Sequence, residues 1–204
     1  MLSIYQLKPA FQNCLRPLVR RCAQGGITAN GVTLAALFIS LALGAALLLW
    51  GEQMRALFLL VPVWMFVRMA FNAVDGMLAR EFGQQSALGA YLNELSDVIA
   101  DAALYLPFAL IAPFNLWLIG AVVWFAAVSE LAGALGPMVK APRAYDGPMG
   151  KSDRAFVFGA LGLAVGLGLN LPAWLVALPI VLCVLMALNC VKRIRAGVVF
   201  ATRP

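Results

Sequence analysis

FNAVDGMLAREFGQQSALGAYLNELSDVIAD, residues 71–101, sets five carboxylates and Arg80 in a chain built mostly of apolar side chains. Asp75, Glu81, Glu94, Asp97 and Asp101 stand within 27 positions. The chain has 204 residues, 63% of them hydrophobic and 12% charged. That composition departs from the globular norm toward a membrane protein that crosses the bilayer several times. A charged side chain inside a span costs about 2.5–3.5 kcal/mol on insertion scales. A solvated loop accounts for Glu81, Gln84 and Gln85, but not for Asp97 and Asp101. On helices, Arg68, Asn72, Asp75 and Ala79 fall on one stripe, and Gly89, Asn93, Asp97 and Asp101 on another, the second in strict four-residue steps. Two facing stripes of oxygen ligands, with neither Cys nor His among them, suit a hard cation such as Mg²⁺, Mn²⁺ or Ca²⁺. A structural arginine–carboxylate network is the competing explanation.

Working outward, six stretches reach the roughly 20 apolar residues that a spanning helix needs: 32–50, 55–74, 87–112, 115–135, 154–170 and 173–191. The expected fold is all-α: six transmembrane helices over 32–191, preceded at 1–25 by an interfacial amphipathic helix, in one domain over 1–204. With both termini cytoplasmic, Lys8, Arg16, Arg20, Arg21, Arg80, Lys140, Arg143, Lys151, Arg154, Lys192, Arg193, Arg195 and Arg203 lie on the inner side. Arg55 is then outside and Arg68 within a span. This obeys the positive-inside rule. The +6 net charge then describes one membrane face, where anionic lipid is a simpler partner than nucleic acid.

Near the N-terminus, Ile4, Leu7, Phe11, Leu15, Leu18 and Cys22 recur at helical spacing, with Lys8, Gln12, Arg16 and Arg20 on another face. This predicts a helix lying in the membrane interface rather than a signal peptide, bent or divided by Pro9 and Pro17. The four cysteines show no ligand spacing and read as packing residues. Histidine is absent, which excludes imidazole catalysis and imidazole metal sites.

Asp75-Gly76, Ala79-Arg80, Gly89 and Asp97 resemble the signature of the CDP-alcohol phosphotransferase family, D-x-x-D-G-x-x-A-R, eight residues, then G-x-x-x-D-x-x-x-D. The spacing matches throughout, and GITANGVTL (26–34) is similar to the family's lead-in to its first span, with Asn30 and Thr33 in place. The first and third aspartates are Asn72 and Asn93 here, as in a bacterial inner-membrane branch with the wording NELxD.

The resemblance implies a metal-dependent enzyme of the inner membrane. It would move the phosphatidyl group of CDP-diacylglycerol to a small alcohol in phospholipid biosynthesis, release CMP, and form a homodimer. It assigns Asp75 and Asp97, helped by Asn72 and Asn93, to Mg²⁺ or Mn²⁺, and gives the CDP moiety to Asn30, Thr33, Asp75, Gly76, Ala79, Arg80 and Gly89. Asp97 is the expected general base. Four aspartates offset two divalent ions, whereas two offset one, so one tightly held ion is expected, with a second arriving on the diphosphate.

VKAPRAYDGPMGKSDRA (139–155) joins the fourth and fifth spans. It resembles the family's basic segment, with Arg143, Lys151 and Arg154 expected to bind acceptor or phosphate, and Ser152 or Asp153 to cap the next helix. That leans the acceptor toward a phosphorylated polyol such as glycerol 3-phosphate. Gly159, Gly162 and Gly166 predict close helix packing. Glu130, within a span, either pairs with Arg68 or lines an acceptor cavity. Two other classes compete: a catalytically degenerate protein that binds CDP-lipid, and a cation transporter, which leaves the glycine and arginine spacing unexplained.

Overall fold

The computed structural model describes residues 4–145 and 147–202, with side chains from Ala10 onward. The side chains of Ile4, Leu7 and Lys8, and all of Arg203, lie outside the described residues. Seven α-helices follow in order: α1 Ile4–Gln24, α2 Ala29–Trp50, α3 Leu60–Glu81, α4 Ala87–Tyr105, α5 Leu116–Ala134, α6 Lys151–Gly166 and α7 Ala177–Ala201. Short 3-10 turns at Arg55–Leu59, Leu106–Leu110, Gly136–Val139 and Ala173–Val176 join some of them. No strand occurs among the described residues, so the all-α expectation is met.

Four segments are long and apolar enough to cross a membrane: Ala29–Trp50, Arg55–Glu81, Leu116–Val139 and Ala173–Ala201. Of the six expected spans, those on α4 and α6 fall short by this measure. α4 carries Glu94, Asp97 and Asp101, and α6 has 16 residues and opens on Lys151, Asp153 and Arg154. Large apolar side chains such as Phe38, Trp117 and Phe156 are exposed, as lipid-facing residues are and as a water-soluble surface rarely is.

The chain forms two compact units. One comprises residues up to Ile39 with Phe66–Asp97. The other comprises Ser40–Met65 with the chain from Val98 onward. In the first, Val19 of α1, Ala29 and Val32 of α2, and Val74, Met77 and Leu78 of α3 make a buried apolar cluster, with Leu15, Cys22 and Ala23 packed against it. α1 runs as one helix through Pro9 and Pro17, so the prolines do not divide it. Each proline removes one backbone donor, and anchoring of the helix through Leu15, Val19 and Cys22 offsets that loss. Its apolar face thus packs partly on protein, with Phe11 against Phe66 edge-on at 6.5 Å, while Leu18 stays exposed.

In the second unit, Tyr105 stacks on Phe158 at 3.9 Å, and Phe108 meets Phe58 and Phe158 edge-on at 5.0 and 5.3 Å. The indole of Trp64 donates to Ser40 Oγ at 2.9 Å, a polar tie of the kind that holds helices together in lipid. The glycine stripe of α6 packs as expected, within the chain. A Cβ on Gly162 would stand 2.8 Å from Val61 Cβ and 3.0 Å from the Phe58 carbonyl, and one on Gly166 2.7 Å from the Leu59 backbone nitrogen.

Candidate active site on α2, α3 and α4

α2 opens where Thr28 Oγ1 accepts from Gly31 N–H at 3.1 Å and Gln84 Oε1 accepts from Ala29 N–H at 2.7 Å. Both satisfy donors that a helix start leaves without a partner. One turn on, buried Thr33 lies 2.8 Å from Asp75 Oδ2 and 3.1 Å from the Ala29 carbonyl. Its single proton favours the carboxylate, because a charge-assisted bond is the stronger. Asp75 is itself buried, so Thr33 holds one oxygen of a carboxylate that sits out of water.

On α3, a Cβ on Gly76 would stand 2.9 Å from Arg80 Nη2. The guanidinium therefore folds over the glycine, and only a hydrogen fits between them. Gly89 on α4 serves Asn30 in the same way: a Cβ there would be 2.8 Å from Asn30 Oδ1 and 3.0 Å from Ser86 Oγ. Arg68 Nη2 donates to both Oδ1 and the main-chain carbonyl of Asp97, each at 3.1 Å, which fixes that carboxylate's orientation. Asn72 and Asn93 are half-buried on α3 and α4. The Ala79 methyl packs on the Val19–Leu78 cluster. The motif thus keeps its spacing along α3 and α4 while Asp97, Asp75 and Gly89 meet groups 29, 42 and 59 positions earlier, Arg68, Thr33 and Asn30.

The oxygen donors Asp75, Asp97, Asn72 and Asn93 fit a hard divalent cation by type. Among the described residues no three Asp, Glu, Cys or His side chains converge as a metal cluster. That agrees with asparagine standing at two of the four motif positions.

The second unit holds a separate basic cluster. Arg154 on α6 is fully buried and donates to Glu130 Oε1 at 3.0 Å, Asp101 Oδ2 at 3.1 Å and the Met149 carbonyl at 3.3 Å. Arg143 donates to Glu130 Oε2 at 3.3 Å and lies over the Tyr145 ring at 4.5 Å. Arg193 on α7 stands 3.6 Å from Glu130 Oε2 and donates to the Ser129 and Tyr145 carbonyls. α6 starts at Lys151, with Asp153 Oδ2 accepting from Gly150 N–H at 3.0 Å. Asp153 is therefore the capping residue and exposed Ser152 is not. Sequence reading gave Arg193 and Asp101 no role here; the one signal was Glu130, the sole acid of an otherwise apolar helix.

A family model described as CDP-alcohol phosphatidyltransferase matches residues 26–185. The chain belongs to the CDP-alcohol phosphatidyltransferase family. Within that family it is similar to "Inner membrane protein YnbA" of Escherichia coli (strain K12), 47% identical over 174 residues, 85% of this chain and 84% of that protein. It is also similar to the phosphatidylinositol phosphate synthase of Mycobacterium marinum, 32% identical over 98 residues, 48% of this chain and 40% of that protein. Among solved structures, Mycobacterium tuberculosis phosphatidylinositol phosphate synthase (PgsA1) with CDP-DAG bound aligns with a TM-score of 0.73 at 20% identity, covering 92% of this chain and 96% of that one. The same enzyme in complex with manganese and citrate aligns with a TM-score of 0.69 at 19% identity, covering 92% and 91%. At that identity the likeness is one of fold.

Proposed function

We propose that this family member transfers the phosphatidyl group of CDP-diacylglycerol to the hydroxyl of a small alcohol and releases CMP, as a multi-pass enzyme of the cytoplasmic membrane. The observation that carries the reading is the order of the motif: Asp75 held by Thr33, Asp97 held by Arg68, Arg80 folded over Gly76, and Asn30 seated on Gly89. The inner-membrane relative and the CDP-DAG bound to the M. tuberculosis enzyme support it.

Asp97 takes the proton of the acceptor hydroxyl as that oxygen bonds to the phosphatidyl phosphorus. The bond from the same phosphorus to the CMP phosphate oxygen breaks, and CMP leaves with the electron pair. Arg68 orients Asp97 for that transfer, where position matters as much as basicity. Arg80, Asn30 and Thr33, with Gly76 and Gly89 allowing close approach, hold the CDP end, beside which the Ala79 methyl packs. Asp75 and Asp97, assisted by the amide oxygens of Asn72 and Asn93, would hold Mg²⁺ or Mn²⁺, which supplies charge neutralisation on the diphosphate. The manganese in the M. tuberculosis complex is consistent with that choice of metal. Titration of the substrate-free protein should show one tight divalent site; two equally tight sites would contradict the role given to the asparagines.

The lean toward a phosphorylated polyol depends on Arg143, Lys151 and Arg154 being available to a phosphate, and both arginines are ion-paired with Glu130. Homodimerisation, which family resemblance implies, would need a face other than the filled glycine stripe of α6. The Arg68–Asp97 ion pair also gives the binding-only alternative its footing, since a base held by arginine must still accept a proton.

The deciding experiment supplies purified protein with CDP-diacylglycerol, Mg²⁺ or Mn²⁺ and a panel of alcohols, following CMP and the lipid product by mass. CMP with at least one acceptor is expected, and Asp97→Asn should lower the rate by about 10²- to 10⁴-fold, the usual range for a lost general base. No CMP with any acceptor would favour the binding-only protein. Undiminished turnover by Asp97→Asn would refute the base.

A further inference from the structure

The eight residues that part Arg80 from Gly89 form the turn between α3 and α4. α3 ends at Glu81, and Gly83 then takes a left-handed backbone with φ of 66°, which glycine adopts without steric cost. Ser86 opens α4. Its Oγ accepts from Gly89 N–H at 2.9 Å and its carbonyl from Ala90 N–H at 3.1 Å, the bonds of a helix N-cap. Between Gly83 and Ser86 stand Gln84 and Gln85, alike in type and opposite in setting. Gln85 is exposed, as a solvated loop requires. Gln84 is half-buried, and its Oε1 accepts from Ala29 N–H, 55 positions earlier, at 2.7 Å. The solvated-loop account therefore holds for Gln85 and not for Gln84.

Ala29 is the first residue of α2 and is buried. Its N–H is one of the donors that a helix start leaves without a helical partner, and burial obliges it to find an acceptor elsewhere. Thr28 Oγ1 is taken by Gly31 N–H, and Gln84 serves Ala29. The methyl of Ala29 packs in the Val19–Leu78 cluster, but apolar burial is non-directional, whereas a hydrogen bond fixes both distance and angle. The next residue, Asn30, has its Oδ1 2.8 Å from where a Cβ on Gly89 would stand. Thr33, one turn on, lies 2.8 Å from Asp75 Oδ2. Gln84 thus ties down the end of α2 that carries both Asn30 and Thr33, and all of these residues belong to the first unit.

We infer that Gln84 is a positioning residue for the CDP end of the donor: by accepting from Ala29 N–H it seats the first turn of α2 on the α3–α4 turn, and so keeps Asn30 on Gly89 and Thr33 at Asp75. It takes no part in the proton transfer. The inference rests on the phosphatidyl-transfer reading and adds to it a residue outside the motif.

The test compares Gln84→Ala, Ala29→Pro, the two combined, and Gln85→Ala. For each, KM is read from CMP formation at varied CDP-diacylglycerol, and Kd from calorimetry with CDP-diacylglycerol and Mg²⁺ in the absence of alcohol. Melting temperature and hydrogen exchange over residues 86–92 complete the set. Proline suits the first position of a helix, where its missing N–H has no helical partner and its φ is already set. Ala29→Pro therefore deletes the donor of the same bond that Gln84→Ala deprives of its acceptor, and it should melt no lower than wild type. Each single change should raise KM and Kd for CDP-diacylglycerol by about three- to tenfold, the range that one neutral hydrogen bond covers. KM for the alcohol should stay unchanged, and exchange over 86–92 should quicken. The combined variant should be no worse than the worse single one, because one bond is lost once. Gln85→Ala should match wild type throughout. Ala29→Pro carries the test if Gln84→Ala does not fold. A lower melting temperature in Gln84→Ala with unchanged KM and Kd would make Gln84 a cap only and overturn the inference, as would additive losses in the combined variant. No binding of CDP-diacylglycerol by wild type removes the transferase reading, and exchange then decides the seating of α2 alone: unchanged exchange over 86–92 in Gln84→Ala overturns it.

Discussion

Gly89 shows what a motif glycine does at the scale of one residue. Its α4 position gives it an ordinary helical backbone, so conformational freedom is not its purpose; the purpose is the space Asn30 occupies, 2.8 Å from where a Cβ would begin. Alanine there should push the Asn30 amide aside. Because Asn30 and Ser86 meet the new methyl with side-chain atoms that can shift, Gly89→Ala should lower stability by about 1 kcal/mol or less. It should raise KM for the CDP donor several-fold, read from initial rates at varied CDP-diacylglycerol. A large loss of melting temperature with unchanged KM would make Gly89 a packing residue only. The motif spacing made Gly76, Gly89, Asp75 and Asp97 legible in sequence, because four-residue steps put them on helix faces. Their partners were partly legible: Thr33 and Asn30 entered by resemblance, but nothing in the sequence joined Thr33 to Asp75 or Arg68 to Asp97, since pairs 29 to 42 residues apart depend on how helices pack.

Elements divided by the same physics. Helices dominated by an apolar run were located, because burial or lipid satisfies them wherever they pack: α2 and α5 lie within three residues of the expected stretches, whereas α3 and α7 run on to Glu81 and Ala201, past the expected ends at 74 and 191. α6 begins at Lys151, where Gly150-Lys151-Ser152 marked a helix start, one turn ahead of the apolar stretch expected from 154. α1 remained whole through two prolines for a reason visible only in three dimensions, the packing of Val19 into the first unit's core. The Glu130 cluster was the least legible, drawing on α4, α5, α6, α7 and the segment after α5. The glycine stripe of α6 gives an element-scale prediction. Gly162 faces Val61 Cβ at 2.8 Å and the Phe58 carbonyl at 3.0 Å from a would-be Cβ, and a carbonyl in a packed turn moves less readily than a side-chain tip. Gly162→Ala should therefore destabilise the second unit by about 1–3 kcal/mol, as overpacking does, and lower the melting temperature in detergent. Gly159→Ala, whose nearest atoms are Pro62 Cα at 3.7 Å and Cβ at 3.8 Å, should be tolerated. Equal effects of the two changes would show that the stripe's close face lies elsewhere.

At the scale of the whole molecule, the charge pattern and the helix inventory bear on one question, the number of crossings. Four segments qualify as spans by length and apolarity, while α4 and α6 carry charges that those measures penalise. Those charges are internally matched: Asp97 with Arg68, and Asp101 with Arg154. Matched pairs reduce the cost of placing a charged helix in a bilayer, so α4 and α6 are expected to cross despite their composition. Six crossings with both termini inside put the segments near Glu52 and Pro172 outside, and the turn after Glu81, the basic segment at Arg143 and the C-terminus inside. Four crossings, without α4 and α6, would keep the turn at Gln84 on the same side as residue 113 and residue 143 on the same side as Pro172. Reporter fusions active on only one side of the membrane separate the two schemes. Fusions after Gln84 and after Pro113 should report opposite sides, as should fusions after Arg143 and after Pro172, with the cytoplasmic signal at Gln84, Arg143 and the C-terminus. Agreement within either pair would remove that helix from the membrane, and with it the six-span layout.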